Sequence, residues 1–386
     1  MVSPTARSIL TRRAIVRLAV GWGAVLGLLP AGPLLEPPVS APLLIGALVL
    51  VIGVILLCAF GVVHEAEHLA RRLGDPYGSL VLTLSIVLIE VVLISAVMLG
   101  PGEHATIARD SVMAVSMIIL NAVIGLSLLA GGLKHGGLGH NRTGTSAYLG
   151  MIIVLSSLAF ALPALIGKAG AYTRGQQIPI IVLALALYGF FLVRQMGRQA
   201  DDFREVDPRV APAADSPAAA DPTAERQAIT AVMAEHRTEI GLRLGLLVVT
   251  VLPIVLLSHA MATLLDDGLG RVGAPVALSG ILIAMVVFLP ESITSVRAAL
   301  NGEIQRVGNL CHGALVSTVG LTIPAVLVIG LLTGQSVVLA ETPVNLMLLG
   351  VTLLLSLSTF AAKQVTAMHG AAHLVLFAVY GIAVFS

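Results

Sequence analysis

Residues 78–99, GSLVLTLSIVLIEVVLISAVML, place a single charge, Glu90, in the middle of an apolar run long enough to cross a membrane. A hydrocarbon core of roughly 30 Å takes about 20 apolar residues as an α-helix. A carboxylate at the centre of such a helix costs on the order of 3 kcal/mol unless it meets a cavity, a partner or a proton. The same pattern recurs in residues 271–300, RVGAPVALSGILIAMVVFLPESITSVRAAL, with Glu291 deep in the run. Each run follows a Gly-x-Pro step, Gly74-Asp75-Pro76 and Gly273-Ala274-Pro275. No other acid falls in the middle of an expected span.

The rest of the chain has the same character. Of 386 residues, 57% are hydrophobic and 11% are charged, and the mean hydropathy is +0.99. A soluble domain carries about a quarter charged residues to cover its surface. This chain cannot do that, so lipid is its main solvent and main partner. A net charge of +1 leaves no electrostatic footprint for nucleic acid. Cys58 and Cys311 both sit in apolar runs and read as small buried hydrophobes.

Eleven apolar segments are expected to span, near 14–34, 42–63, 78–99, 110–131, 146–166, 177–195, 241–264, 274–297, 307–332, 343–362 and 367–385. The fold class is therefore all-α and polytopic. Lys and Arg concentrate on one side if the N-terminus, with Arg7, Arg12, Arg13 and Arg17, is cytoplasmic. The odd count then puts the C-terminus outside. The first segment is too long for a signal peptide and reads as a retained helix. Residues 196–240 are polar and rich in Ala, Pro and charge, and read as a cytoplasmic linker, disordered in its first half. The layout is residues 1–40 with the first helix, five helices in 41–195, the linker, and five more in 241–386. Five spans is an odd number, so the two halves are inverted. Inverted repeats with a site near the midplane are a common architecture of secondary transporters.

Glu90 and Glu291 then occupy equivalent places in two inverted halves. Facing carboxylates make a hard, oxygen-rich site suited to Ca²⁺. Asn121, Ser317, Thr318 and Ser85 offer neutral oxygens, and Pro290 frees a backbone carbonyl beside Glu291. A buried carboxyl holds a proton when no cation neutralises it, so cation and proton compete for one site. Alternating access to that site gives cation/proton antiport. Asn309 and His312 are expected to line the cavity, with His312 equally explained as a packing residue. His259, His369 and His373 are weaker candidates.

Residues 64–68, His-Glu-Ala-Glu-His, match the H-E-x-x-H signature of zinc proteases. An intramembrane metalloprotease would use His64 and His68 as ligands, Glu65 as base, and a distal acid such as Asp266 or Asp267. That rival leaves Glu90 and Glu291 without a role. It also needs ligands from opposite ends of two spans. A cytoplasmic mouth, where Glu65 and Glu67 attract cations and His64 and His68 sense or relay protons, suits the segment better than a protease, and an ordinary solvated helix end balanced by Arg71 and Arg72 explains it equally.

The stretches HEAEHLARRLGDPYGSLVLTLSIVLIEVVLISAVML (64–99) and LPESITSVRAALNGEIQRVGNLCHGALVSTVGLTIPAVL (289–327) resemble the calcium/proton exchangers of the calcium/cation antiporter superfamily, most of all the bacterial ChaA-type antiporters. The resemblance covers most of residues 40–385. It implies the five-plus-five inverted fold in the inner membrane and export of Ca²⁺, or of Na⁺ and K⁺, in exchange for protons. The ions are cargo, no cofactor is required, and an oligomer is compatible with the fold. The family's repeat glutamates map onto Glu90 and Glu291, and its following-helix positions onto Asn121 and Ser317. Many members carry Gly-Asn before each glutamate. Here SIVLIE and VVFLPE stand there, leaving fewer neutral oxygens and room for monovalent cations.

Overall fold

The computed structural model describes residues 10–73, 84, 87, 90, 91, 94, 95, 98, 105–206, 236–275 and 277–385. Ten long helices account for most of them: α1 Arg12–Ala31, α2 Ala41–Leu73, α3 Ile107–His135, α4 Arg142–Ile166, α5 Arg174–Gln195, α6 Arg237–Arg271, α7 Ala277–Asn301, α8 Ile304–Thr333, α9 Pro343–Ala361 and α10 Ala367–Val384. Among the described residues nine helices are long and apolar enough to cross a membrane, and ten if the bent α7 counts as one. Leu84, Val87, Glu90, Val91, Ile94, Ser95 and Met98 are helical too, where the Glu90 segment was expected. Each expected span thus has a helical counterpart, and the protein is a multi-pass membrane protein.

The break in α7 falls between Leu278–Val286 and Phe288–Asn301. Pro290 lies inside this helix. Its ring removes the hydrogen bond to the Val286 carbonyl, four residues back, and bends the chain there.

The chain folds as two compact units, Met1–Ser85 with Pro212–Pro290, and Ile86–Ala211 with Glu291–Ser386. In the first unit α1, α2 and α6 pack together. Gly21 of α1 lets the helices close: an added Cβ would stand 2.8 Å from Cys58 Sγ and 3.2 Å from Pro253 Cβ. The Trp22 indole donates to the Val249 carbonyl at 3.2 Å. At the far end Asp267 accepts from the Val39 amide at 3.0 Å and pairs with Arg271 at 2.6 Å.

The second unit is an inside-out bundle. It exposes Leu183, Phe190, Leu354 and Val375 and buries Ser116, Asn121, Ser295, Thr352, Ser356 and Thr359. That is the distribution expected where lipid is the solvent and polar groups bond between helices. α3 and α10 come into backbone contact. A Cβ on Gly132 would lie 2.2 Å from the Ala367 nitrogen, and one on Gly370 would lie 2.4 Å from the Leu129 nitrogen.

Two loop pairings link the sequence halves within this unit. At one end β1 (Leu138–Gly139) pairs antiparallel with β2 (Gln364–Val365). At the other end Ala171 pairs antiparallel with Val338, and the Leu339 and Ala340 amides bond the Gly170 carbonyl. Among the described residues three helices contain a π-helical turn: α3 at Ile118–Val123, α4 at Ser157–Ala161 and α8 at Thr318–Thr322. Such turns are rare and concentrate at functional sites. Those of α3 and α8 fall at equivalent places, in the helices that follow the Glu90 and Glu291 helices.

The start of the linker departs from the expectation of disorder. Residues Ala200–Phe203 form a 3₁₀ turn, and Phe203 is 2% exposed. Its ring meets Tyr148 edge-on at 5.1 Å between centroids and Phe191 at 5.9 Å. The Asn309 amide donates to the Phe203 carbonyl at 2.6 Å, and Glu205 accepts from the Gln305 amide at 2.9 Å. One aromatic anchor and two capping bonds outweigh the polar composition around them. Residues 207–235, most of the rest of the expected linker, lie outside the described residues.

Gly144 makes this docking fit, since a Cβ there would stand 2.0 Å from the Asp202 carbonyl oxygen. Gly144→Ala is therefore expected to expel the Phe203 turn, at a cost of about 1–3 kcal/mol. Limited trypsin digestion of the purified protein should then cleave after Arg204 several times faster than in wild type. An unchanged rate would mean that the turn is held by something other than this contact.

Candidate ion-binding site

Glu90, Glu291 and Thr318 all belong to the second unit, where α8 carries Thr318 at the first residue of its π turn. Both glutamates are 4% exposed. The Thr318 hydroxyl donates to Glu90 Oε2 at 2.5 Å. Among the described residues, Glu90 Oε1 and both carboxylate oxygens of Glu291 have no hydrogen-bond partner. The two side chains are close enough for their charges to interact. Nearly every buried polar atom in a folded protein is satisfied, so three orphaned carboxylate oxygens in one unit call for a ligand or protons.

The remaining candidates are distributed around this pair. Ser317 turns away from it, and its Oγ accepts from the Tyr188 hydroxyl of α5 at 2.9 Å. Asn121, in the π turn of α3, is fully buried in a separate network. Its Nδ2 donates to Thr352 Oγ1 at 2.9 Å, and its Oδ1 accepts from His373 Nδ1 at 3.3 Å. That leaves His373 Nε2 as acceptor for the Thr359 hydroxyl at 3.2 Å. Asn309 is used by Phe203 and Gln305. His312 is fully buried with neither ring nitrogen hydrogen-bonded among the described residues, stacked on Tyr148 and edge-on to Phe360. The Gly308 carbonyl lies beside it without reaching hydrogen-bond geometry. Cys311 donates to Ser295 Oγ at 3.5 Å, one helical turn from Glu291. Ser85 lies outside the described residues.

The His64–His68 segment belongs to the first unit. Glu65 is 6% exposed and pairs with Arg243 of α6 at 2.6 Å, and Arg243 also pairs with Glu239 at 3.2 Å. A carboxylate committed to a guanidinium is a poor general base. His64 is exposed and meets His68 edge-on at 4.7 Å. The Glu67 side chain lies outside what the structure describes. Among the described residues no group of three or more His, Cys, Asp or Glu is placed to hold a metal.

Two further features escaped sequence reasoning. Tyr188 and Thr352 carry no local pattern that marks them as partners of Ser317 and Asn121. Outside the spans, Glu341 accepts from the Thr342 amide and from Asn345, both at 2.9 Å, and stands 3.8 Å from Arg109. Burial pushes its carboxyl above the usual range. Arg109 in turn bonds Asp110 and the Ala340 carbonyl, so α3 is tied to the loop that pairs with Gly170.

The pattern of the family described as Sodium/calcium exchanger protein matches residues 43–197 and 242–386. The chain is 31% identical over 355 residues to the sodium-potassium/proton antiporter ChaA of Escherichia coli strain K12, over 90% of this chain and 91% of that protein. The fold is that of two solved structures. The selenium-substituted Ca²⁺/H⁺ antiporter protein YfkE aligns with a TM-score of 0.63 at 15% identity, over 97% of this chain and 99% of that one. The H⁺/Ca²⁺ exchanger CAX aligns with a TM-score of 0.64 at 13% identity, over 96% and 89%. A metalloprotease finds no support in any of these likenesses or in the placement of Glu65. By its two matched stretches and its long alignment to ChaA, this chain is a secondary transporter and not an enzyme, and it belongs to the sodium/calcium exchanger protein family.

Proposed function

We propose that the protein is a cation/proton antiporter that exports Ca²⁺, Na⁺ or K⁺ in exchange for H⁺. The observation that carries this reading is the buried pair Glu90 and Glu291, with three carboxylate oxygens left unpartnered. Two buried carboxyls whose charges act on one another accept either protons or a cation, since both relieve the same uncompensated charge. Each occupant excludes the other, and exposing the site alternately to the two sides turns that exclusion into exchange. Thr318 holds one oxygen of Glu90 and thereby fixes its direction, while Glu291 is left to close on the ion. Asn121 acts at a distance in this reading, by fixing α3 against α9 and α10. The cation and the proton are cargo, and no resident cofactor takes part.

The names of the relatives support both substrate classes, monovalent in ChaA and Ca²⁺ in YfkE and CAX. The proposed setting is the inner membrane, with the N-terminus and the 196–240 linker cytoplasmic and the C-terminus outside. Arginine and lysine placement supports that orientation.

The test is cation-driven proton release. The protein is reconstituted in vesicles with an acidic lumen and a trapped pH dye, and Ca²⁺, Na⁺ or K⁺ is added outside. Luminal alkalinisation with one of them is the expected result and names the substrate. Silence with all three in correctly inserted protein would remove the proton-coupled reading.

A further inference from the structure

Six residues before Thr318 on α8, about 9 Å nearer the start of that helix, stands His312. It is fully buried, and both of its ring nitrogens are unbonded among the described residues. A buried polar atom without a partner is costly, and a leucine would fill the same place without that cost. The ring stacks on Tyr148 of α4 at 6.0 Å between centroids and meets Phe360 of α9 edge-on at 4.9 Å. Thr318 bonds Glu90 instead, so His312 lies on another side of α8 from that contact. Phe360 joins it to a second imidazole. The Phe360 ring meets His140 edge-on at 5.4 Å, and the Phe360 carbonyl accepts from His140 Nε2 at 3.0 Å. With the hydrogen on Nε2, His140 Nδ1 is an acceptor, and it too is unbonded among the described residues. One turn before Phe360 the fully buried Ser356 hydroxyl also lacks a partner among them. His140 is 6% exposed and follows β1 directly, at the end of the unit where β1 meets β2. The next amide, of Asn141, donates to Gln305 at 2.8 Å, so this end lies beside the start of α8.

Four unbonded polar atoms on three buried side chains thus accompany Phe360, between the depth of the ion site and the β1–β2 end. We propose that His312 is a proton-carrying group of the exchange cycle, taking up protons from the side of the glutamates and passing them to His140 at the β1–β2 end. An imidazole suits this task because it binds a proton on one nitrogen and releases one from the other, and its charge returns to zero with each transfer. The bare Nδ1 of His140 is the receiving atom, and one ordered water bridges any gap too wide for a direct hydrogen bond. The other titratable neighbours do not compete. His373 of α10 is held on both nitrogens by Asn121 and Thr359, and the Tyr148 hydroxyl accepts from Gln195. Beyond these, Arg142 acts on His140 and His369 on His373. The inference rests on the proton-coupled reading of Glu90 and Glu291. It adds that protons leave along a side of α8 other than the one that bonds Glu90.

Two rates separate this role from packing. The full chain is reconstituted in vesicles, and cation-driven proton release is measured beside the exchange of radioactive Na⁺ or Ca²⁺ for the same unlabelled ion, which moves no net proton. In His312→Leu, proton release is expected to slow about a hundredfold, the lower end of what a positioned proton-transfer group contributes. Exchange of like cations should stay close to wild type. The variant should melt no lower than wild type, since leucine removes two unpaired polar atoms at similar volume. His312→Gln, which hydrogen-bonds but does not titrate, should lose proton release as well. Wild-type proton release in either variant would overturn the proposal. So would an equal loss of both rates in His312→Leu, which would make the ring a packing element of α8. Wild-type protein that exchanges like cations and releases no proton would refute the proton-coupled reading itself, whatever the variants do, and this role of His312 with it.

Discussion

Glu291→Gln should reduce cation/proton exchange at least a hundredfold while leaving the amount of inserted protein unchanged. Glu291 is the better of the two glutamates to test, because both of its carboxylate oxygens are unpartnered. No hydrogen bond among the described residues is broken by the change. What is lost is one charged ligand for the cation, worth on the order of 3 kcal/mol, and about a hundredfold in affinity follows. The neutral amide also removes a titrating group, so proton release should vanish together with cation uptake. Insertion should not suffer, since an amide costs less than a carboxylate in a bilayer. Glu90→Gln should lose exchange in the same way. The amide oxygen can still accept from the Thr318 hydroxyl that now bonds Glu90 Oε2, so local packing is kept. The check is the vesicle assay alongside quantified membrane protein. Exchange within a few fold of wild type in either variant would separate the glutamates from transport.

Gly370→Ala should be among the most damaging substitutions of a single hydrogen by a methyl. Its Cβ would stand 2.4 Å from the Leu129 nitrogen and 2.6 Å from the Gly125 carbonyl oxygen. Both are backbone atoms of α3 and cannot rotate away. The helices must separate, at a cost of about 3 kcal/mol. The same contact sets the depth of His373, three residues on, whose Nδ1 bonds Asn121. The variant should therefore melt at a clearly lower temperature in detergent and also lose part of its exchange rate. Gly381→Ala in the same helix has nothing within 4 Å of its Cβ and serves as the matched control, with wild-type melting expected. If the two variants melt alike, the close approach of α3 and α10 carries no weight.

The spans and the two glutamates were legible because each depends on a single strong cost. Leaving twenty residues of apolar side chain in water is untenable, and so is leaving a carboxylate in lipid without a reason. What failed to show in the sequence depends on direction within a helix or on distant partners. Ser317 and Thr318 are adjacent and chemically alike. Thr318 meets Glu90 and Ser317 meets Tyr188 because neighbouring side chains point about 100° apart on a helix, and α8 changes its winding at Thr318. Asn121 looked like a ligand because it sits in the right helix, yet its amide is bonded to Thr352, 231 positions later. Glu65 matched a zinc motif locally, while Arg243, 178 positions later, gives it another task. Phe203 was hidden in a run of Ala, Pro and charge, where composition outvotes one aromatic residue.

The two loop pairings of the second unit bear on how the chain is made. Leu138 finds its strand partner at Val365, and Ala171 finds its bridge partner at Val338. In both cases one side comes from the first half of the sequence and the other from the second. A ribosome adding about 5–20 residues per second leaves Ala171 waiting roughly ten to thirty seconds, and Leu138 somewhat longer. During that interval the first half sits in the membrane with its helices formed but its end loops unpaired. The second unit closes only when Val338 and Val365 have been made, so the second half of the sequence, and not the first, decides when that unit is complete.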